Sequence, residues 1–343
     1  MLQPLVVGLG RSGRELHLRV LARMAGAPDG SPIAAPPVAC DPRPEAGRWL
    51  TGTRVARSIA EARRMVCPAS TVVHVCTPPL ARTAVLTELA ERGFDKLLVE
   101  KPLAAGRAEL AEIVRLRRRH RLDIRVVAHW LEAELTGRLR GLVRQGTLGR
   151  LTAITVAQHK PRFTRSLATT GHPTAFDVEI PHALGVVLDL AGPAELVDAH
   201  WSDLRCGDVV LPRLGGASLT LRHSTGVRSE IVSDLASPVR QRSITLRFEH
   251  GTATGHYPLS EHDDHAQLVV TGGLAAHQVF RDDALTAFLR RVYRDFADGP
   301  RAALAPHCAA VRLLCAAKDH CRAADRARPR PPGGPARKDA HAR

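Results

Sequence analysis

Several features are missing from this 343-residue chain, and each absence removes a class. No apolar run approaches the roughly 18 residues that a membrane span needs. Met1-Leu2-Gln3 leads straight into the apolar run Leu5-Val6-Val7, without the charged and hydrophobic regions of a secretory signal. A cytoplasmic protein with no membrane partner is the expectation. Aromatic residues make up 3%, too few for the stacking platforms that hold single-stranded nucleic acid. Lysine is scarce, occurring only at positions 96, 101, 160, 318 and 338. The seven cysteines form no Cys-x-x-Cys pair and show no zinc-type spacing, so no metal site is expected. Cys308, Cys315 and Cys321 fall at near-helical spacing and read as a helix core face.

What is present describes a globular chain of two domains: 44% hydrophobic and 24% charged residues. The formal charge of +15 raises the question of nucleic acid. The surplus is nearly all arginine, however, and part of it is terminal. From Arg322 to Arg343 there are seven cations against Asp325 and Asp339. We expect no nucleic-acid partner and read the tail charge as solvation.

Residues 1–130 alternate short apolar runs with helical patterns. Strands are predicted at Leu5–Gly8, Val38–Asp41, Thr71–Cys76, Lys96–Glu100 and Ile124–Ala128. Helices are predicted at Arg14–Met24, Ile59–Met65, Leu80–Arg92 and Arg107–His120, with a loop over Ala25–Pro37. Such alternation predicts a parallel, doubly wound α/β sheet of Rossmann type. Residues 131–325 change character. A helix over Glu132–Gln145, capped by Gly146, precedes strand-like runs at Leu151–Gln158, Ala217–His223, Val227–Asp234 and Ser243–Phe248. Helices at Ala284–Phe296 and Ala303–Arg322 close the chain. This half is expected to be an α+β domain with a large, mostly antiparallel open sheet that binds substrate and mediates oligomers. Residues 326–343 are Arg/Pro/Gly-rich and read as a disordered basic tail.

Gly8-Leu9-Gly10-Arg11-Ser12-Gly13 is a G-x-G-x-x-G between a strand and a helix, the context that makes it a dinucleotide fingerprint. Gly8 permits a tight turn, Gly10 lets a pyrophosphate approach the backbone, and Gly13 lets helix and strand pack closely. The helix N-terminus at Arg11 and Ser12 would face the phosphates with unpaired N–H groups. Asp41 ends the second strand, where a carboxylate accepts the ribose hydroxyls of NAD. It lies 28 residues beyond Gly13, against a usual spacing of about 20. Arg43 would pair with a 2′-phosphate, so the expected cofactor is NAD or NADP, with NAD favoured. Two further strand ends fall on the same edge: Cys76-Thr77-Pro78-Pro79 and Glu100-Lys101-Pro102. The Lys101 ammonium would hydrogen-bond a substrate hydroxyl and favour loss of its proton. Pro102 suggests an unusual backbone geometry there, with a cis bond as one form. Arg162 is a candidate for a substrate carboxylate or phosphate. His159, Lys160, His172 and Asp189 are further polar candidates.

The order GLGRSG, VCTPP, EKPL and a strand ending at His129 resembles the glucose-fructose oxidoreductase / inositol dehydrogenase / rhizopine catabolism (Gfo/Idh/MocA) family. The resemblance covers nearly the whole chain. It implies NAD(P)-dependent oxidation or reduction of a sugar, aminosugar or cyclitol. It also implies His129 near the cofactor and a homodimer or homotetramer. The family's Asp-x-x-x-His at a helix start, ten residues before a Gly, aligns His182 with the acid/base histidine. The Asp position is Val178, so the resemblance leaves the acidic partner open between Asp177 and Glu179. Asp177 is the expected catalytic acid and Glu179 the expected cap of the helix that Pro181 starts. Pro79 and Arg82 stand where the family usually has Asn and His, and Ile180 where it has Gly. Two alternatives share the fold: a non-catalytic dinucleotide-binding regulator, and a glycosidase with tightly held NAD.

Overall fold

The computed structural model describes residues 1–25, 33–48, 50–168, 171–260, 263–273 and 275–327. The chain begins with strand β1 (Gln3–Val7), whose last four residues are buried. A π-helical turn over Ser12–Leu18 runs directly into helix α1 (Arg19–Ala25). There follow β2 (Val38–Cys40), β3 (Val55–Ala56), α2 (Ile59–Met65), β4 (Thr71–Val75) and α3 (Arg82–Glu91). Then come β5 (Lys96–Val99), α4 (Arg107–Arg119) and β6 (Asp123–Val126). The six strands form one parallel sheet in the order β3-β2-β1-β4-β5-β6. Strand direction of winding reverses between β1 and β4, and a ligand crevice opens beyond the strand ends at such a point. β4 is buried along its whole length, including His74, as expected for a strand covered on both faces.

After α5 (Glu134–Gln145) come β7 (Leu151–His159), α6 (Phe163–Ala168) and α7 (Ile180–Ala191). The long hairpin β8 (Ala194–Cys206) and β9 (Val209–His223) leads into β10 (Arg228–Asp234), β11 (Gln241–Phe248) and β12 (Gly251–His256). β13 (His265–Gly272), β14 (Ala276–Arg281), α8 (Ala284–Asp298) and α9 (Ala305–Ala327) complete it. The eight strands pair as β14-β13-β12-β11-β7-β10-β9-β8, all antiparallel except β7 with β10. Burial alternates along them: in β10, Ser229, Ile231 and Ser233 are buried while Arg228 and Glu230 are exposed. One face therefore carries the core that α7 and Trp130 join, and the other faces outward.

β3, β8 and β12–β14 lie outside the strands predicted from the sequence, and β9 begins earlier than predicted, at Val209. α9 continues to Ala327, so residues 326 and 327 are helical, not tail; residues 328–343 lie outside the described residues, as do 26–32 of the expected loop. Both C-terminal helices also pack on the first sheet. Phe288, Leu289, Val292, Tyr293 and Phe296 of α8 share a core with Val6 and Leu21, and Cys308, Val311 and Cys315 of α9 share one with Leu97 and Ile113. No helix among the described residues is long and apolar enough to cross a membrane.

Candidate active site

The glycine loop shows why each glycine is needed. Gly8 has φ +95°, and a Cβ there would lie 3.0 Å from the Cys76 backbone at the end of β4. A Cβ on Gly13 would lie 2.0 Å from the Gly8 carbonyl oxygen, so the helix can approach the strand only as glycine. Gly10 differs, since a Cβ there would meet nothing within 4 Å. Its surface is an open cradle at a helix start, which fits a dinucleotide pyrophosphate. Asp41 accepts the Leu9 N–H at 2.8 Å and so braces the loop. It also accepts the Arg43 N–H and two guanidinium N–H groups, each at 3.0 Å. Burial raises the Asp41 carboxyl, but Arg43 and the two backbone donors hold it below the usual carboxylate range. The two residues expected to choose the cofactor are thus clasped together at the mouth.

Beyond the ends of β4 and β5, Arg82 ties two loops. It is fully buried and donates to the Thr77 carbonyl at 2.7 Å and to the Pro102 carbonyl. The arginine that stands where the family resemblance leads one to expect histidine is therefore a strut between these two loops. The Lys101–Pro102 bond is cis. Lys101 donates from Nζ to the carbonyl of Val178 at 2.6 Å. At the position where the resemblance leads one to expect an acid, a backbone oxygen holds the lysine. Burial and the cations Arg162, Arg165 and Arg82 lower Lys101 to about 8, against the raising effect of Glu100.

Glu100 accepts the Lys101 backbone N–H at 3.1 Å and meets His17 Nε2 at 3.1 Å. His17 Nδ1 lies 2.7 Å from His74 Nδ1, and His74 Nε2 lies 2.8 Å from the Tyr293 hydroxyl. Burial opposes charge on His17, but Cys76 and Glu100 raise it to about 10. Burial raises Glu100, yet His17, Lys101 and His129 bring it to about 2. His74, lowered by burial and by His17, is neutral. A charged His17 donates from both nitrogens, so His74 accepts at Nδ1 and donates from Nε2 to Tyr293. This chain of bonds fixes Glu100, and through it the backbone of Lys101.

The opposite wall comes from the residues before and within α7. The His182 ring is stacked on Trp130 at 5.7 Å and meets His129 edge-on at 4.6 Å. Trp130 in turn stacks on Tyr257 at 4.1 Å. Burial, Lys101 and His129 push His182 well below its ordinary value, and burial with Lys101 and Arg242 brings His129 to about 4. Both rings are neutral, and Nδ1 of each is buried without a hydrogen-bond partner in the structure. Lys160 forms an ion pair with Glu179. Burial and the cations Lys101, Arg242, Arg162 and Arg165 lower Lys160 to about 6.

One cavity of about 1480 Å³ brings these residues together. Single-ligand sites run to about 300–1,000 Å³, so there is room for a dinucleotide and a second molecule. Of the predicted residues, Gly8, Gly10, Arg11, Ser12, Asp41, Arg43, Thr77, Pro78, Glu100, Lys101, His129, Arg162, Glu179 and His182 line it. Gly13 is packed behind it. Asp177 is not on the wall and corrects the expectation. It closes a capping box with Thr174 and accepts from Lys318 of α9 at 2.5 Å, buried at both ends. Glu179 corrects the other half: it precedes α7 but makes no capping bond, and its carboxylate enters the cavity. Lys160 and His172 also line the cavity; Asp189 pairs with Arg140 instead, and His159 is off the wall. Trp130, Arg165, Arg242 and Tyr257 are wall residues that the sequence did not single out. The register of β11 brings Arg242 to the wall, α6 brings Arg165, and the stack with Trp130 brings Tyr257.

Residues 2–127 match the GFO_IDH_MocA family model, described as an oxidoreductase family with an NAD-binding Rossmann fold. A search of curated proteins finds no significant match. Solved structures resemble the whole chain. The 3-ketoreductase KijD10 of Actinomadura kijaniata, in complex with NADP and TDP-benzene, is 14% identical with a TM-score of 0.77, over 93% of this chain and 98% of that one. The WlbA dehydrogenase of Chromobacterium violaceum, with NADH and UDP-GlcNAcA, is 18% identical with a TM-score of 0.72, over 94% of each chain. An oxidoreductase of Agrobacterium radiobacter, with NAD+, L-tartaric acid and magnesium, is 14% identical with a TM-score of 0.72, over 94% and 96%. At these identities the likeness shows the fold.

Proposed function

We propose, from the match of residues 2–127 to an oxidoreductase family with an NAD-binding Rossmann fold, an NAD(P)-dependent reaction at a CH–OH or ketone carbon of a sugar, aminosugar or cyclitol. The observation that carries the reading is that the open Gly10 cradle and the Lys101 ammonium line the same cavity. The nicotinamide, when bound, supplies or accepts the hydride. Gly8, Gly10, Arg11 and Ser12 would hold its phosphates, and Thr77 and Pro78 would border its ring.

Lys101 then moves the proton at the substrate oxygen. Its lowered value lets it donate as an ammonium below pH of about 8 and accept as an amine above it. His182 is neutral, so it orients the oxygen by a hydrogen bond and does not deliver a proton as imidazolium. Trp130 holds the ring plane. Glu179 and Lys160 form a polar wall for further hydroxyls. In this reading residues 1–130 place the cofactor and 131–325 place the substrate, while α8 secures the two by contributing Tyr293 to the network under Glu100.

The test is calorimetric titration with both dinucleotides, followed by nicotinamide absorbance with a panel of sugars and cyclitols. Binding and turnover that require added dinucleotide support the proposal. Failure of both dinucleotides to bind overturns it, and binding with no hydride transfer favours the regulator. Glycoside cleavage without added cofactor favours the glycosidase.

A further inference from the structure

One wall of the cavity is crowded with cations, near enough to the glycine loop for Arg11 to act on them. Lys160 and Arg162 extend β7 beyond its last residue, their N–H groups bonded to the Asp234 and Leu235 carbonyls at 2.9 Å. Arg242, near the start of β11, pairs across the sheet with Gln158 and is therefore beside them. Arg165 follows on α6. All four line the cavity. Lys160 pairs with the Glu179 carboxylate, and the Glu15 carboxylate acts on Arg165. Arg242 donates from one nitrogen to the Pro258 carbonyl at 2.9 Å and forms no ion pair among the described residues. Arg162 is 7% exposed, and the charges that act on it are those of Arg165 and Arg11, both repulsive.

Desolvated cations without counter-charges are costly, and folding alone offers no reason to gather them. The planar guanidinium fork matches oxyanions in a two-point geometry. At least two positive charges, Arg162 and Arg242, remain after Glu179 is counted, which suits a phosphate better than a single carboxylate. We infer that the substrate is a phosphorylated sugar whose phosphate group is held by Arg162 and Arg242, with the reacting carbon at Lys101. A sugar monophosphate and a nucleoside diphosphate sugar share this chemistry. The inference rests on the hydride-transfer reading for the position of the reacting carbon, but the anion site itself does not need turnover.

The experiment is calorimetric titration of the protein saturated with reduced dinucleotide. The probes are inorganic pyrophosphate, glucose, glucuronate, glucose 6-phosphate and uridine diphosphate glucose. We expect one or both phosphorylated sugars to bind about tenfold or more tightly than glucose and glucuronate. Arg162→Gln and Arg242→Gln should each erase that difference with unchanged dinucleotide affinity and melting temperature. The two phosphorylated arms tell the monophosphate from the diphosphate. Glucose or glucuronate binding as tightly as both phosphorylated sugars overturns the inference. So does loss of dinucleotide affinity in Arg162→Gln, which would assign the cluster to the cofactor's own phosphates. Phosphate-selective binding without hydride transfer would sink the proposed reaction and leave the anion site standing. Turnover of a neutral sugar with no phosphate preference would do the reverse.

Discussion

Neutralising Asp177 and Glu179 one at a time separates structure from chemistry within three residues. Asp177→Asn removes the partner of Lys318, with both side chains buried and 2.5 Å apart. Removing one member of a buried pair costs about 3–5 kcal/mol. The amide keeps part of the bonding to Thr174, so the low end applies, ~3 kcal/mol. At about 2 °C per kcal/mol for a long domain, the melting temperature should fall by ~6 °C. Turnover per folded molecule should hold, because Asp177 does not face the cavity. Glu179→Gln removes the one carboxylate facing Lys160 and the substrate wall. The melting temperature should stay within ~2 °C, while kcat/KM falls about 10–100-fold, the range for a lost charged hydrogen bond. The assay is differential scanning calorimetry beside steady-state kinetics for both variants. A dead but stable Asp177→Asn, with an active Glu179→Gln, would refute the assignment.

That pair also shows how far the sequence could be read. Proximity to Pro181 identified a helix start, and from there Glu179 looked like its cap. A preceding 3₁₀ turn over Ala175–Asp177 rotates Asp177 inward, where Thr174 and a lysine 141 residues away take it. No local pattern announces a partner at that separation. Five of the six parallel strands were legible because burial on both faces writes a continuous apolar run, as in β4 and β5, whereas the two-residue β3 is too short to write one. β13 and β14 were not, since their polar outward faces resemble loop composition. The glycine spacing was legible because each glycine answers a steric demand visible in the motif. His17 and His74 sit inside apolar runs and give no hint that they pair with each other beneath Glu100.

Gly10→Asp should abolish dinucleotide binding by calorimetry while preserving the fold, because a Cβ there meets only open space; unchanged affinity would remove the loop from the account. Lys101→Met should lower turnover about 10²–10⁴-fold. In the parent, oxidation should rise and reduction fall as pH passes through about 8. A profile flat across that range would exclude Lys101 as the proton carrier. NAD should bind more tightly than NADP in the parent. Asp41→Ser should free Arg43 and shift relative affinity toward NADP by about tenfold; a parent that already prefers NADP would place the phosphate on Arg43 without release from Asp41.

Hydride transfer within this cavity is best tested with reduced dinucleotide carrying deuterium at the transferring position of the nicotinamide, incubated with oxidised sugars and followed by mass spectrometry. The account predicts deuterium on the carbinol carbon of a sugar product, abolished in Gly10→Asp and strongly reduced in Lys101→Met. Labelled dinucleotide that binds at full affinity yet leaves every sugar unlabelled, phosphorylated ones included, would contradict it.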